Sequence, residues 1–204
     1  MTLRLAVFIS GGGTTLRNLI ERHRDGLLDV DFRIVISSSA SAAGLRFAEE
    51  ASIPRRVIVK KSSTPAEDYS RSMFDACREA QVDLVVMAGF LKHVFIPSDF
   101  ENRVINIHPS LIPSFCGAGM YGKRVHQAAI DFGVKVSGCT VHFVDNDFDN
   151  GPIILQRVCE VRTDDTAESL AARVFEQECQ AMPAAIAAIA EGRVQVNGRT
   201  VELL

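Results

Sequence analysis

The stretch Leu3-Arg4-Leu5-Ala6-Val7-Phe8-Ile9-Ser10-Gly11-Gly12-Gly13-Thr14-Thr15 decides the fold. Six of its first seven residues are apolar, and Leu5 to Ile9 run without a break, the pattern of a strand buried on both sides in a parallel sheet. A serine, three glycines and two threonines follow, and a helical pattern begins at 16 and runs to 24. Strand, glycine turn and helix are the first three parts of a βαβ unit.

Working outward, further β-type runs occur at 32–36, 56–59, 84–87 and 104–107, with helical patterns at 42–51 and 65–80 between them. Thr64-Pro65-Ala66-Glu67 reads as a capping box with Pro at the first helical position. The alternation predicts an α/β fold, a mostly parallel twisted sheet with helices on both faces, in a single domain. The second half changes character. Residues 109–122 read as a long loop and 123–132 as a helix. Two β-rich segments, 136–144 and 153–161, are expected to pair antiparallel. Asp165-Thr166-Ala167-Glu168 reads as a second capping box, opening a helix to about 190. The tail reads as a hairpin turning at Asn197-Gly198, a pair suited to a type I′ turn.

The 204 residues carry a net charge of −3, with 47% hydrophobic and 23% charged residues. That balance is ordinary for a globular chain and argues against broad nucleic-acid or anionic-membrane binding. Cys77, Cys116, Cys139, Cys159 and Cys179 are scattered, odd in number and without a C-x-x-C, which suits a reducing cytoplasm. No run approaches the ~20 apolar residues of a membrane span. No His pair at i, i+4 and no close Cys pair suggests a metal.

Three constellations carry chemistry. The first is Ser10 to Thr15. Backbone N–H groups at a helix N-terminus bind anions, so the loop is suited to a phosphate monoester, although it matches neither a Walker A nor a G-x-G-x-x-G pattern. It also reads as a tight turn capped by Thr. The second is Asn106-Ile107-His108-Pro109. Asn106 and His108 alternate onto one face of a strand that Pro109 ends, and ligands bind at such C-terminal strand ends. The third is Asp145-Asn146-Asp147-Phe148-Asp149-Asn150-Gly151-Pro152, a turn whose Asp149 could pair with the imidazole. It lacks the spacing of a Ca²⁺ loop. An amide, an imidazole and a carboxylate can stabilise an oxyanion and move a proton. His23 and His126 read as structural, and His142 as a strand residue near the site. Glu178 falls on the stripe Leu170, Val174, Met182 of the last helix, either at the edge of its apolar face or aimed into a pocket.

Together these residues resemble the phosphoribosylglycinamide formyltransferase family, one of the folate-dependent formyltransferases. The resemblance rests on the segments 9–16, 83–90, 106–113, 137–144, 149–156 and 173–178. It implies a Rossmann-like formyltransferase fold, with 1–108 as the nucleotide-binding half and 109–204 as the folate-site and C-terminal helix half. It implies formyl transfer from 10-formyltetrahydrofolate to the amine of 5-phosphoribosylglycinamide in de novo purine biosynthesis, by a monomer or homodimer and without a metal. Asn106 and His108 would stabilise the oxyanion and Asp149 relay the proton. Gly13, Thr14, Thr15 and Glu178 would hold the ribonucleotide. Leu91, Lys92, His93, Val94, Asn106, Asp145, Asn146, Asp147, Phe148 and Asp149 would line the folate site. The chain departs from many relatives at Gly12, Thr14 and Thr15, at the Gly-rich 116–122 stretch, and at Ala66, where some members carry an Arg on the folate glutamate tail. Two rival readings stand beside this one: a formyltetrahydrofolate deformylase, whose water nucleophile needs no phosphate anchor, and a non-catalytic nucleotide- or folate-binding module.

Overall fold

The computed structural model describes residues 2–204. The chain divides into two compact units, 1–106 and 107–204.

The first unit is a run of βα repeats. β1 (Leu3–Ile9), β2 (Val30–Ser37), β3 (Arg55–Val57), β4 (Leu84–Met87) and β5 (Val104–His108) alternate with α1 (Thr14–Arg24), α2 (Leu45–Glu50) and α3 (Ala66–Glu79). All four strand pairs are parallel, in the order β3-β2-β1-β4-β5. β1 and β4 became strands because both faces are covered, with Leu5 to Ile9 completely buried, whereas the edge strand β3 is exposed along its length. The chain leaves β1 toward β2 and β3, then returns to its other side as β4. With right-handed crossovers, α1 and α2 lie on one face of this sheet and α3 on the other. The reversal between β1 and β4 is the switch point where such sheets bind ligands, beside the loops that follow those two strands.

Two expected helix starts are corrected. The capping box at Thr64 does not form: Pro65 is itself the N-cap, with φ −53° and ψ 148°, and no side chain caps α3. Thr64 is held one residue too early, its N–H bonded to the Lys61 carbonyl. The helix expected over 42–51 shortens to Leu45–Glu50, because the Leu45 and Arg46 N–H groups bond three residues back, to the Ala42 and Ala43 carbonyls, so the segment before Leu45 is a tight turn rather than α-helix.

β5 carries the chain into the second unit. This holds α4 (Lys123–Phe132), β6 (Val136–Phe143), β7 (Ile153–Glu160), α5 (Ala167–Ala190), β8 (Val194–Asn197) and β9 (Thr200–Leu203). β6 and β7 pair antiparallel, as do β8 and β9. Residues 109–122 contain neither helix nor strand. A mostly parallel sheet with antiparallel strands in the C-terminal half is the architecture expected.

The capping box of α5 lies one residue later than expected. Thr166 caps and Ser169 answers it. Asp165 is otherwise engaged: it accepts from the Arg162 N–H and the Ser169 hydroxyl, and Arg173 grips it with two N–H groups. Glu168 pairs instead with Lys123. The tail turn also shifts by one. Asn197 pairs with Thr200, so the loop is Gly198-Arg199. Gly198 has a φ of 62°, and a glycine at the first loop position belongs to type II′ rather than I′. Among the described residues, no helix is long and apolar enough to cross a membrane.

Candidate active site

In the second unit, His108 closes β5 and is 4% exposed. Its Nδ1 lies 3.4 Å from Asp149 Oδ2, and its Nε2 lies 2.9 Å from the Phe115 carbonyl. A ring with an oxygen at each nitrogen can donate from both. The 3.4 Å separation is longer than a good N–H···O hydrogen bond. Asp149 is held from a second side, where the Gly117 N–H donates to Oδ2 at 2.9 Å. Its Oδ1 lies 3.8 Å from His142 Nε2. His142 is fully buried on β6, with Nδ1 2.7 Å from the Phe143 carbonyl. An Nδ1–H donating there turns Nε2 toward Asp149. Burial pushes the His142 pKa down, against the opposing pull of the Phe143 carbonyl and Asp149. One carboxylate thus stands between two buried imidazoles.

The turn that delivers Asp149 is built from its own side chains. Asp145 Oδ1 accepts from the Asp147 N–H at 3.0 Å and Oδ2 from Asn150 Nδ2 at 2.9 Å. Asp149 adopts a left-handed φ of 51°, a region Asp enters more readily than most side chains. A Cβ on Gly151 would stand 1.9 Å from the Phe143 carbonyl oxygen, so glycine lets the turn lie flat on β6. The segment after His108 is pinned by Thr140, whose hydroxyl donates to the Ser110 carbonyl and accepts from the Ile112 N–H.

Two further titratable groups lie in this unit. Glu178 is half-buried on α5, on the stripe of buried Leu170, Val174 and Met182. Burial pushes its pKa up to about 7. His126, on α4, is buried with an unpartnered Nδ1, and burial, then the nearby His108, hold its pKa down.

In the first unit the glycine loop ends at Gly13, the N-cap of α1, with φ 69° and ψ 27°. No side chain caps this helix and no acidic residue stands in its first turn. Its first N–H groups are therefore left for an outside acceptor, and the helix dipole favours an anion there. Ser10 Oγ accepts from the Leu91 N–H at 2.9 Å and lies 2.7 Å from Ser38 Oγ, which ties the loop to the segment after β4. Leu91 and Lys92 are exposed, His93 stacks edge-on with Phe95, and Val94 is buried. Asn106 is half-buried on β5, beside Met87 in the ladder.

Of the residues singled out in the sequence, His108 and Asp149 meet directly. Asn106 precedes His108 by two residues on the same strand. Asp145 and Asp147 bond within the turn, and Asn146 and Phe148 are exposed on it. Two contacts to the central pair were not foreseen: the Phe115 carbonyl and the Gly117 N–H are backbone groups with no residue-type signal. His142, expected on a strand near the site, sits at a shift in the β6–β7 register between Val141 and His142. Among the described residues, no three His, Cys, Asp or Glu side chains gather as a metal requires.

Residues 3–186 match the formyl transferase family. The chain is 40% identical over 195 residues to the chloroplastic phosphoribosylglycinamide formyltransferase of Vigna unguiculata, covering 94% of this chain and 62% of that protein. It is 36% identical to the phosphoribosylglycinamide formyltransferase of Haemophilus influenzae, covering 95% of this chain and 90% of the relative. The crystal structure of glycinamide ribonucleotide transformylase 1 from Symbiobacterium toebii superposes with a TM-score of 0.93 at 37% identity, covering 100% of this chain and 94% of that one.

Proposed function

This chain belongs to the formyl transferase family, and we propose that it transfers the formyl group of 10-formyltetrahydrofolate to the amine of 5-phosphoribosylglycinamide in purine biosynthesis. The observation that carries this reading is the Asp149 carboxylate against His108 at the end of β5. The amine nitrogen attacks the formyl carbon, and the carbonyl oxygen becomes an oxyanion. Asn106 and His108 donate hydrogen bonds to it, the His108 Nε2–H turning from the Phe115 carbonyl to the new oxygen. Asp149 takes the proton the amine releases and passes it, through water, to the folate nitrogen as its bond to carbon breaks. The protein forms no covalent bond and the scheme calls on no metal.

Phosphate binding is assigned to Gly13, Thr14 and Thr15, supported by the uncapped N-terminus of α1. Glu178 is assigned to the glycinamide-ribose part of the ribonucleotide. Leu91, Lys92, His93 and Val94, with Asn106 and Asp145, Asn146, Asp147, Phe148 and Asp149, are assigned to the folate. Leu91 in the first unit, 59% exposed, and Phe148 in the second, 54% exposed, each leave an apolar side chain at the surface of their own unit. Residues 1–108 are read as the nucleotide half and 109–204 as the folate half of one domain, monomeric or a homodimer. The five free thiols fit a reducing cytoplasm.

The test is purified protein with 10-formyltetrahydrofolate, with and without the ribonucleotide, followed by folate absorbance. Formyl loss that needs the ribonucleotide supports the reading; equal loss without it favours a deformylase. Asn106→Ala or His108→Ala should lower turnover by about 10²-fold with ribonucleotide affinity little changed.

A further inference from the structure

The C-terminal hairpin β8–β9 buries little. Every residue of its two strands is half-buried or exposed, so the core has small need of it. β9 nevertheless lies against β7. The hairpin turn reaches the turn that carries Asp149: Arg199 Nη1 donates to Asn150 Oδ1 at 3.3 Å. Asn150 in turn donates from Nδ2 to Asp145 Oδ2, and Asp145 Oδ1 receives the Asp147 N–H. The orientation of the Asn150 amide is thereby fixed. Its oxygen faces a guanidinium that can only donate, and its NH₂ faces a carboxylate that can only accept. Rotated by half a turn, both contacts would be repulsive.

This chain of contacts starts one residue from a left-handed position. Asp149 sits at φ 51°, a region an Asp enters more readily than most side chains but still at some backbone cost, so its neighbours help to hold it there. The Gly117 N–H holds the Asp149 carboxylate from one side. Arg199, through Asn150 and Asp145, holds the backbone that follows it.

We propose that the hairpin is a positioning element for Asp149, acting through Arg199 on Asn150. The functional consequence rests on the proton-relay role given to Asp149 above; the mechanical one does not. Arg199 is exposed, and a contact of this kind is worth less than about 1 kcal/mol, or about threefold to fivefold in an equilibrium. The effect expected is therefore modest and confined to the turn.

The experiment uses the full chain as wild type, Arg199→Ala and Arg199→Lys. Formyl-transfer kinetics, thermal midpoint and amide hydrogen exchange at residues 149–151 are measured on each. Arg199→Ala should lower kcat about threefold and speed exchange at 149–151 by a similar factor. KM for the ribonucleotide should stay constant and the midpoint move by less than about 2 °C. Arg199→Lys keeps a donor and should recover at least half of both losses. Unchanged exchange in Arg199→Ala would overturn the proposal, as would faster exchange with unchanged kcat or a Lys variant as impaired as the Ala variant. Should the wild type transfer no formyl group, the assigned chemistry fails on its own, and exchange alone decides whether the hairpin holds the turn.

Discussion

A Cβ placed on Gly13 would lie 2.5 Å from the Cα of Gly44. The end of the glycine loop and the start of α2 touch backbone to backbone, and the Gly44 N–H is bonded to the Gly11 carbonyl beside the contact. Gly13 also needs its φ of 69°. Gly13→Ala should therefore destabilise the protein by about 2–4 kcal/mol, from the left-handed backbone and the overpacking together. Gly12 has open space around its Cβ direction and no positive φ, so Gly12→Ala should stay within about 0.5 kcal/mol of the parent. Urea titrations of the two variants check this. Equal midpoints would mean that the two loops are not in contact.

Glu178 gives a pH dependence of definite sign. Its ordinary value near 4.5 is pushed up to about 7 in the folded protein by burial. The stability associated with the protonated carboxyl is fully present below the unfolded value and is lost as pH rises through the folded one. Between pH 5 and pH 8 the unliganded protein should lose about 2 kcal/mol from this group, and Glu178→Gln should remove that loss. Denaturant midpoints at the two pH values measure it. A variant with the same pH slope as wild type would show that the carboxyl ionises freely.

Asp165 titrates with the opposite sense. The Arg173 fork, then the Arg162 N–H and the Ser169 hydroxyl, hold its carboxyl well below the usual carboxylate value of 3.8. Stability from this group is present above the unfolded value and is lost as pH falls through the folded one. Asp165→Asn should cost about 2 kcal/mol at pH 7, and the gap from wild type should narrow progressively below pH 4. Thermal melts across that range test it. A gap that stays constant down to pH 2 would mean that the hydrogen bonds matter and the charge does not.

Much of the framework was legible because burial on two faces leaves a plain mark in the residues. Leu3 to Ile9 and Leu84 to Met87 are strands at their expected bounds. Caps and turns were less legible, since several residues compete for each place and tertiary partners choose among them. Asp165 had the right type and spacing to cap α5, but Arg173 claims it and Thr166 caps instead. Asn197-Gly198 had the right pair for its turn, but strand pairing continues through Asn197. At the candidate site, Asn106, His108 and Asp149 were readable as residue types near strand ends. The groups that hold them in place, the Phe115 carbonyl, the Gly117 N–H and the Arg199 guanidinium, were not. Two are main chain, and the third stands 49 residues from Asn150, which it touches.

Gly151 gives the Asp149 turn an unusual kind of fragility. With the Phe143 oxygen 1.9 Å from where a methyl group would stand, any replacement lifts the turn from β6 and carries the carboxylate away from His108. Such a variant would keep every ionisable side chain of the centre and still lose turnover. A mutational survey scored by chemistry alone would rank position 151 beside the acids and bases, although the residue there has no side chain to react.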